Sequence, residues 1–369
     1  SEVTVAAGTK GLTFLGVRVT AGDGYTDAQL INIAGATGDG SCRDIEFLFS
    51  ELDGRLLTSC LYASYTNTLR LEHNNIHHFT GFGVRKQYAG VEGIFNQNMI
   101  YQYKFGEEEY TSATGIGIDL LNASTDNKFN GNIIYLTGTG VQLNPGCSSN
   151  LLTANHIYGC TELGILIDVG RTIIVCNQID HNGIQDKVGS DVIIENNLYN
   201  YGGSIWGDRS FLKLSPKIAG AFYGGIVKGN VINHRVGVGT VTFIEYDTAN
   251  GTYAASGTKG QIIENRINDS AAAIPIVNKW STQVTAKVFA STESKVTFDF
   301  TEELVPWADI QNYTQALRVD SVDKAVVSSV SNEDTNDFTV TFYDPAKTDG
   351  STKNITGTVY VTASVESNS

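Results

Sequence analysis

At 369 residues, with 41% hydrophobic and 17% charged side chains, the chain is composed to fold and is long enough for an extended solenoid with an appended domain. A formal net charge of −14 excludes a surface built to neutralise phosphates, so neither nucleic acid nor an anionic membrane is an expected partner, and no apolar run comes near the length of a membrane-spanning helix. The five cysteines (Cys42, Cys60, Cys147, Cys160 and Cys176) show no CxxC spacing, which disfavours zinc and a disulfide framework and predicts small buried hydrophobes.

In chain order, residues 1–70 read as degenerate first coils of a solenoid: 12–19 and 45–49 alternate like strands but carry no repeated anchor. From residue 71 a repeat is legible. Segments begin at Asn74-Asn75-Ile76, Asn98-Met99-Ile100, Asn132-Ile133-Ile134, Asn155-His156-Ile157, Asn177-Gln178-Ile179, Asn196-Asn197-Leu198, Asn230-Val231-Ile232 and Asn265-Arg266-Ile267, at intervals of 24, 34, 23, 22, 19, 34 and 35 residues. Four intervals fit one three-strand coil, and the three longer ones fit a coil with an insertion in one turn. A second signature follows within the coils, a turn glycine and then alternate apolar residues: Gly81-Phe82-Gly83-Val84, Gly115-Ile116-Gly117-Ile118, Gly140-Val141-Gln142-Leu143 and Gly164-Ile165-Leu166-Ile167.

A single coil cannot bury its apolar face, so coils stack at about 4.8 Å and pile isoleucine on isoleucine. Asparagine tolerates turn backbone and bonds to copies of itself above and below. The LxxLxL frame of a leucine-rich repeat is absent. The prediction is an all-β chain: a right-handed parallel β-helix over 1–270 (regular coils with loop insertions over 71–270), a linker over 271–283, and an antiparallel β-sandwich-like domain over 284–369. That last domain is rich in alternating Thr and Val and suits trimerisation or carbohydrate binding.

Over residues 40–270 these Asn-x-Ile coils with Gly-Ile-x-Ile strands resemble the pectin-lyase-like superfamily. The acidic balance and short β-rich appendage resemble one branch of it, the bacteriophage tailspikes and capsule depolymerases. The resemblance implies a homotrimer on the virion tail, outside the cell, with a virion-attachment region upstream of Ser1, acting on a bacterial capsular or O-antigen polysaccharide by endo-cleavage. The polygalacturonase motifs and a pectate-lyase calcium site are absent, so pectin chemistry is disfavoured and no catalytic residue transfers by motif.

Stacking turns aligned letters into strips of surface. One column, following the Gly-Ile strands, holds Arg85, Asp119, Asn144 and Asp168, with Asp186 in a shortened coil. Two carboxylates one or two rungs apart are within reach of a glycosidase pair, one acid and one base. Turn-forming polar residues are the bland alternative. A second column, three residues after each anchor, holds His77, Tyr101, Tyr135, Tyr158, Asp180, Tyr199, Asn233 and Asn268, with His181 beside Asp180. Its tyrosines offer rings and hydroxyls to sugars, against the alternative of stacking that only holds coils together. Insertions at about 101–114, 199–222 and 235–258 begin in the turn after this column and could wall a groove, with Trp206 and Arg209 suited to sugar contact. His73, His77 and His78 read as surface turn histidines that fit no metal template, so no metal or other cofactor is expected. Hydrolysis by Asp119, Asp168, Asp180 or Asp186 leads. A lyase using Tyr135, Tyr158, His181 or Arg85 follows, and a non-catalytic receptor fibre is the third reading.

Overall fold

The chain folds as a right-handed parallel β-helix. A computed structural model describes residues 1–107, 109–188, 191–201, 210–216, 222, 224–234, 241–253, 260–268, 276–277, 280–293, 295–300, 304, 312–319, 327–332, 337–343, 351–352 and 355–364. Three parallel sheets of ten strands each run along it: sheet A from Val3–Val5 to Ile244–Tyr246, sheet B from Lys10–Leu15 to Gln261–Ile263, and sheet C from Arg18–Thr20 to Arg266–Asn268. The degenerate first coils belong to the same three sheets as the regular ones.

Alternation along short strands sends every second side chain inward. On sheet C, Leu52, Ile76, Ile100, Ile134, Ile157, Ile179, Tyr199 and Ile232 lie in register and are buried. Each such residue contributes about 1.5–3 kcal/mol of burial. On sheet A the turn glycines are needed for close approach: a Cβ on Gly117 would lie 2.6 Å from the Gly140 carbonyl oxygen, and one on Gly140 2.6 Å from that of Gly164.

The turn from sheet B to sheet C explains the anchor. The residue before it adopts left-handed backbone, with φ of 54° at His73, 51° at Gln97, 53° at Ala154 and 55° at Cys176. The anchor amide then ties three segments together. Asn132 Nδ2 donates to Asn155 Oδ1 at 2.9 Å and to the sheet B carbonyl of Phe95 at 2.8 Å, while Asn132 N donates to Asn155 Oδ1 at 3.0 Å. The same pattern runs through Asn74, Asn98, Asn132, Asn155, Asn177, Asn197, Asn230 and Asn265 in single file.

The sixth anchor is therefore Asn197, not Asn196. Asn196 fills the left-handed position, at φ 53°. The insertions also differ from expectation. Among the described residues, no sheet strand interrupts 102–115, whereas the other two are divided by sheet A strands, Leu212–Leu214 and Ile244–Tyr246. Four cysteines are buried as predicted, but Cys176 is exposed, because the left-handed turn residue faces outward.

Beyond the coils, two three-stranded antiparallel sheets form from Gln283–Glu293, Ile355–Ser364 and Asn312–Val319, and from Lys295–Asp299, Asp337–Tyr343 and Val327–Asn332. Part of the stretch read as a linker is stitched to the helix: Ile276–Val277 pairs with Val241–Thr242, and Thr282 N donates to the Ile262 carbonyl at 3.0 Å.

Lys86 and Asp186, in one inward file, break the apolar rule. Lys86 is fully buried, its Nζ donating to the Gly90 carbonyl at 2.6 Å and to Asn127 Oδ1 at 3.0 Å, and burial lowers its pKa to about 7. The unfolded chain binds a proton at Lys86 up to about pH 10.4, so between about pH 7 and 10 it holds more protons than the folded chain and stability rises with pH. Both acceptors keep other donors, Thr125 N and Gly93 N. Lys86→Met is expected to be neutral or to stabilise by about 1–3 kcal/mol at pH 7 and to remove this pH slope, as read by urea unfolding at pH 7 and pH 9.

Candidate functional site

The outer face of sheet C carries an ordered array of polar and aromatic groups. Its register places Thr20, Asp53, His77, Tyr101, Tyr135, Tyr158, Asp180, Asn200, Asn233 and Asn268 in one column. Tyr199 is not in it. With the anchor at Asn197, Tyr199 turns inward, is fully buried, and bonds its hydroxyl to the His181 carbonyl at 2.9 Å. Asn200 takes the outward place.

The rings stack on one another. His77–Tyr101, Tyr101–Tyr135 and Tyr135–Tyr158 have centroids 5.1, 4.7 and 5.0 Å apart with interplanar angles of 8°, 22° and 3°. Ring faces are thus turned to each other, and the open sugar-stacking platform expected from the sequence is corrected to a strip of ring edges and hydroxyls. Burial raises the pKa of Tyr101, Tyr135 and Tyr158, and for Tyr158 the Asp180 charge adds to it. Loop 102–115 folds beside the strip. Gln102 Oε1 accepts from the Thr114 and Gly115 amides at 3.0 and 2.7 Å, and exposed Phe105 lies parallel to Tyr158 at 6.1 Å.

Asp180 ends the aromatic run. Burial alone would raise its pKa, but hydrogen bonds outweigh burial and lower it: His156 Nε2 at 3.1 Å, Asn200 Nδ2 at 2.9 Å and Gln178 Nε2 at 3.0 Å. The Asp180 carboxylate is ionised and 16% exposed, and the His156 side chain is 37% exposed. A carboxylate only accepts, so His156 Nε2 carries a proton toward Asp180, and in the neutral ring Nδ1 is the lone pair. The ring of His156 lies 4.5 Å from that of Tyr158. His156 escaped the sequence reading because alternation had assigned only the next outward position, Tyr158, to the strip.

The sheet A column divides. Arg85, Asp119, Gln142 and Leu166 are in register, while Asn144 and Asp168 lie two residues further on, just past the ends of their strands. Asp119 is locked: Arg85 donates through Nε and a terminal nitrogen at 2.8 and 2.7 Å, and Asn144 Nδ2 donates at 2.8 Å. Its side chain is 1% exposed, and burial leaves its pKa raised despite the guanidinium. This geometry suits a structural ion pair. Arg85→Ala is expected to strand the carboxylate and cost about 3–5 kcal/mol in urea unfolding, whatever the substrate. Asp168 is half-buried at a strand end. Asp186 is in register with Ile167 and Leu214, points into the core, and accepts from Val188 N at 2.8 Å. It does not face a groove, and register pairs it with neither Asp119 nor Asp168 across the sheet A surface. His181 is half-buried at a turn, with φ 79°. Trp206 and Arg209 lie outside the described residues.

Two hollows were not read from the sequence. A polar one of about 170 Å³ on sheet A is lined by Glu162, Ser210, Lys213 and Glu245, with Lys213 Nζ 2.8 Å from Glu245. An apolar groove of about 540 Å³ on sheet B is lined by Leu151, Ile173 and Ile193 between Arg171 and Asp191. The sheet B groove follows from outward apolar residues in register, a signal visible only once the coils are aligned. Among the described residues, no helix is long and apolar enough to cross a membrane.

Comparison with known proteins gives structural likeness only. No family model and no curated protein sequence matches the chain. Among solved structures, it is similar to the Dettilon tailspike protein (TM-score 0.47, 13% identity, covering 98% of this chain and 86% of that one). It is also similar to the tailspike protein of Pseudomonas phage LKA1 (0.47, 10%, 99% and 67%) and to a surface adhesin of Streptococcus pneumoniae (0.45, 9%, 73% and 84%).

Proposed function

We propose that this chain is a tailspike-type depolymerase that lays a bacterial capsular or O-antigen polysaccharide along the outer face of sheet C and cleaves it endo-wise by hydrolysis. The observation that carries the reading is the His156–Asp180 pair at the foot of a strip edged with hydroxyls. Asp180 holds the proton of a neutral His156 ring on Nε2, which leaves Nδ1 as the base able to take a proton from water. Tyr158, held protonated by burial and by the Asp180 charge, stands beside the same ring as the acid for the departing sugar oxygen. Water then adds to the anomeric carbon as the glycosidic bond breaks. Paired carboxylates, the version first expected, are replaced here by an imidazole that one carboxylate orients.

The same His–Tyr pair favours a second reading, β-elimination, in which the base removes the proton next to a uronate carboxyl. Incubation with a panel of purified capsules and O-antigens, followed by mass spectrometry, separates the two. Hydrolysis adds one water per cut, whereas elimination leaves an unsaturated, ultraviolet-absorbing end. Undiminished chain length with every polymer would overturn both and leave a glycan-gripping receptor fibre. A homotrimer on the virion tail belongs to this proposal, and sedimentation equilibrium at the mass of one chain would remove that part of it.

A further inference from the structure

At the head of the strip, away from the His156–Asp180 pair, three metal-binding atoms converge. His77 Nδ1 and His78 Nδ1 are 2.8 Å apart, and Asp53 Oδ1 lies 3.3 Å from His78 Nδ1 and 3.6 Å from His77 Nδ1. His77 was expected at the surface but is buried, because its ring stacks on Tyr101 in the outward column. Each imidazole also turns its other nitrogen to a carboxylate: His77 Nε2 to Glu51 Oε1 at 3.2 Å, and His78 Nε2 to Glu107 Oε1 at 3.3 Å.

These contacts cannot all be satisfied by two neutral imidazoles. Glu51 and Glu107 only accept, so each Nε2 carries its ring's single hydrogen, and both Nδ1 atoms are then lone pairs. Two lone pairs face each other at 2.8 Å with a carboxylate oxygen beside them. Asp53 Oδ1 takes one donor, the Arg55 amide at 3.0 Å, and keeps its other lone pair. What the three acceptors lack is a positive centre between them.

We propose that Asp53, His77 and His78 form a site for a single divalent transition-metal ion of zinc type. The sizes agree. A triangle with these three sides has a circumradius of about 1.9 Å, so a point about 2.1 Å from all three atoms exists just off its plane, which is the zinc–nitrogen and zinc–oxygen bonding distance. Two imidazoles with one carboxylate select a borderline ion over calcium or magnesium, which prefer all-oxygen sets. Glu51 and Glu107 are the outer carboxylates that fix ligand tautomers at such centres. The side chains of His78 and Asp53 are 18% and 14% exposed, which leaves a coordination position for water. The ion would clasp coil to coil and, through Glu107, hold loop 102–115 at the head of the strip. Nothing in this site depends on what the strip binds.

The test uses the full chain, freed of metal with chelator, dialysed and titrated with Co²⁺ and then Zn²⁺. The expected result is one Co²⁺ per chain, with visible absorption bands that Zn²⁺ displaces and a rise in Tm on metal addition. His78→Ala, at a partly exposed turn position outside the apolar core, abolishes all three signals. Glu51→Gln weakens binding by about 10–100-fold, and His156→Ala leaves it unchanged. Substoichiometric uptake by the wild-type chain overturns the proposal; a proton on His78 would then fill the gap between the three acceptors. Metal binding that survives His78→Ala overturns it equally. If His77→Ala fails to fold, His78→Ala and Glu51→Gln still decide the matter.

Discussion

His156→Ala is expected to lower the depolymerisation rate by about 10²–10⁴-fold, the usual loss when a general base is removed, equivalent to about 3–5 kcal/mol in the barrier. Polysaccharide binding should change little, because the strip of Tyr101, Tyr135 and Tyr158 keeps its stacking without this ring. Asp180→Asn should produce a comparable loss for a different reason. An amide in that place no longer demands a hydrogen on His156 Nε2, and the imidazole is free to present the wrong nitrogen. Chain-length analysis by size-exclusion chromatography, run beside a binding measurement on the intact polymer, checks both. Full activity in His156→Ala would sink the assignment. The Asp180 carboxyl also gives stability a direction with pH. Its pKa is lowered in the folded chain, so its contribution is complete above the ordinary carboxylate value of about 4 and fades as pH falls through the lowered one. Asp180→Asn should remove that part of the acid destabilisation.

Asn155→Leu is expected to be among the most damaging single changes to the fold. The side chain makes four hydrogen bonds, accepting from Asn132 N and Nδ2 at 3.0 and 2.9 Å and donating to the Phe129 carbonyl at 3.0 Å and Asn177 Oδ1 at 2.9 Å. Leucine leaves the two Asn132 donors and the Phe129 carbonyl without these partners in a buried turn, whereas Asn177 Oδ1 still accepts from Asn155 N at 2.9 Å. At about 1–3 kcal/mol for each of the three stranded groups, the cost is about 3–9 kcal/mol. Urea unfolding gives the magnitude. Hydrogen exchange should show protection falling first in the coils flanking residue 155, since coils of a solenoid stabilise one another through nearest neighbours. A loss below about 1 kcal/mol would show that water replaces the ladder at little cost.

The architecture was legible because the anchor is chemically distinctive and recurs at nearly coil length. Finer placement failed where two candidate letters adjoin. In Asn196-Asn197 either residue can hold the ladder, and only the left-handed turn assigns Asn197 to it. A slip of one residue reverses every side chain in a strand, and so Tyr199 was read outward when it is core. In Gly115-Ile116-Gly117 the ambiguity is two residues. That shift preserves the face, so no hydrophobic pattern could expose it, and Asp119 was set in file with Asn144 and Asp168 instead of with Gln142. Asp186 misled because its coil is short. His156 was passed over because its column mixes Asn75, Met99, Ile133 and Gln178, a set with no visible theme until the partner across the strand is known. The histidine cluster required knowledge that Asp53, in a coil without an anchor, lies directly beside His77.

The lower half of the sheet C column has a consequence for charge. Asn268 Nδ2 donates to Asn233 Oδ1 at 2.7 Å, Asn233 Nδ2 to Asn200 Oδ1 at 2.9 Å, and Asn200 Nδ2 to Asp180 Oδ1 at 2.9 Å. All three amides thus aim their positive ends the same way, at a single anion, and each polarises the next. The negative charge is therefore sensed three coils away. Neutralising Asp180 would remove the bias that keeps this file of dipoles aligned, and swapping the distant, exposed Asn268 for alanine would be felt at the carboxylate as a small upward drift of its pKa.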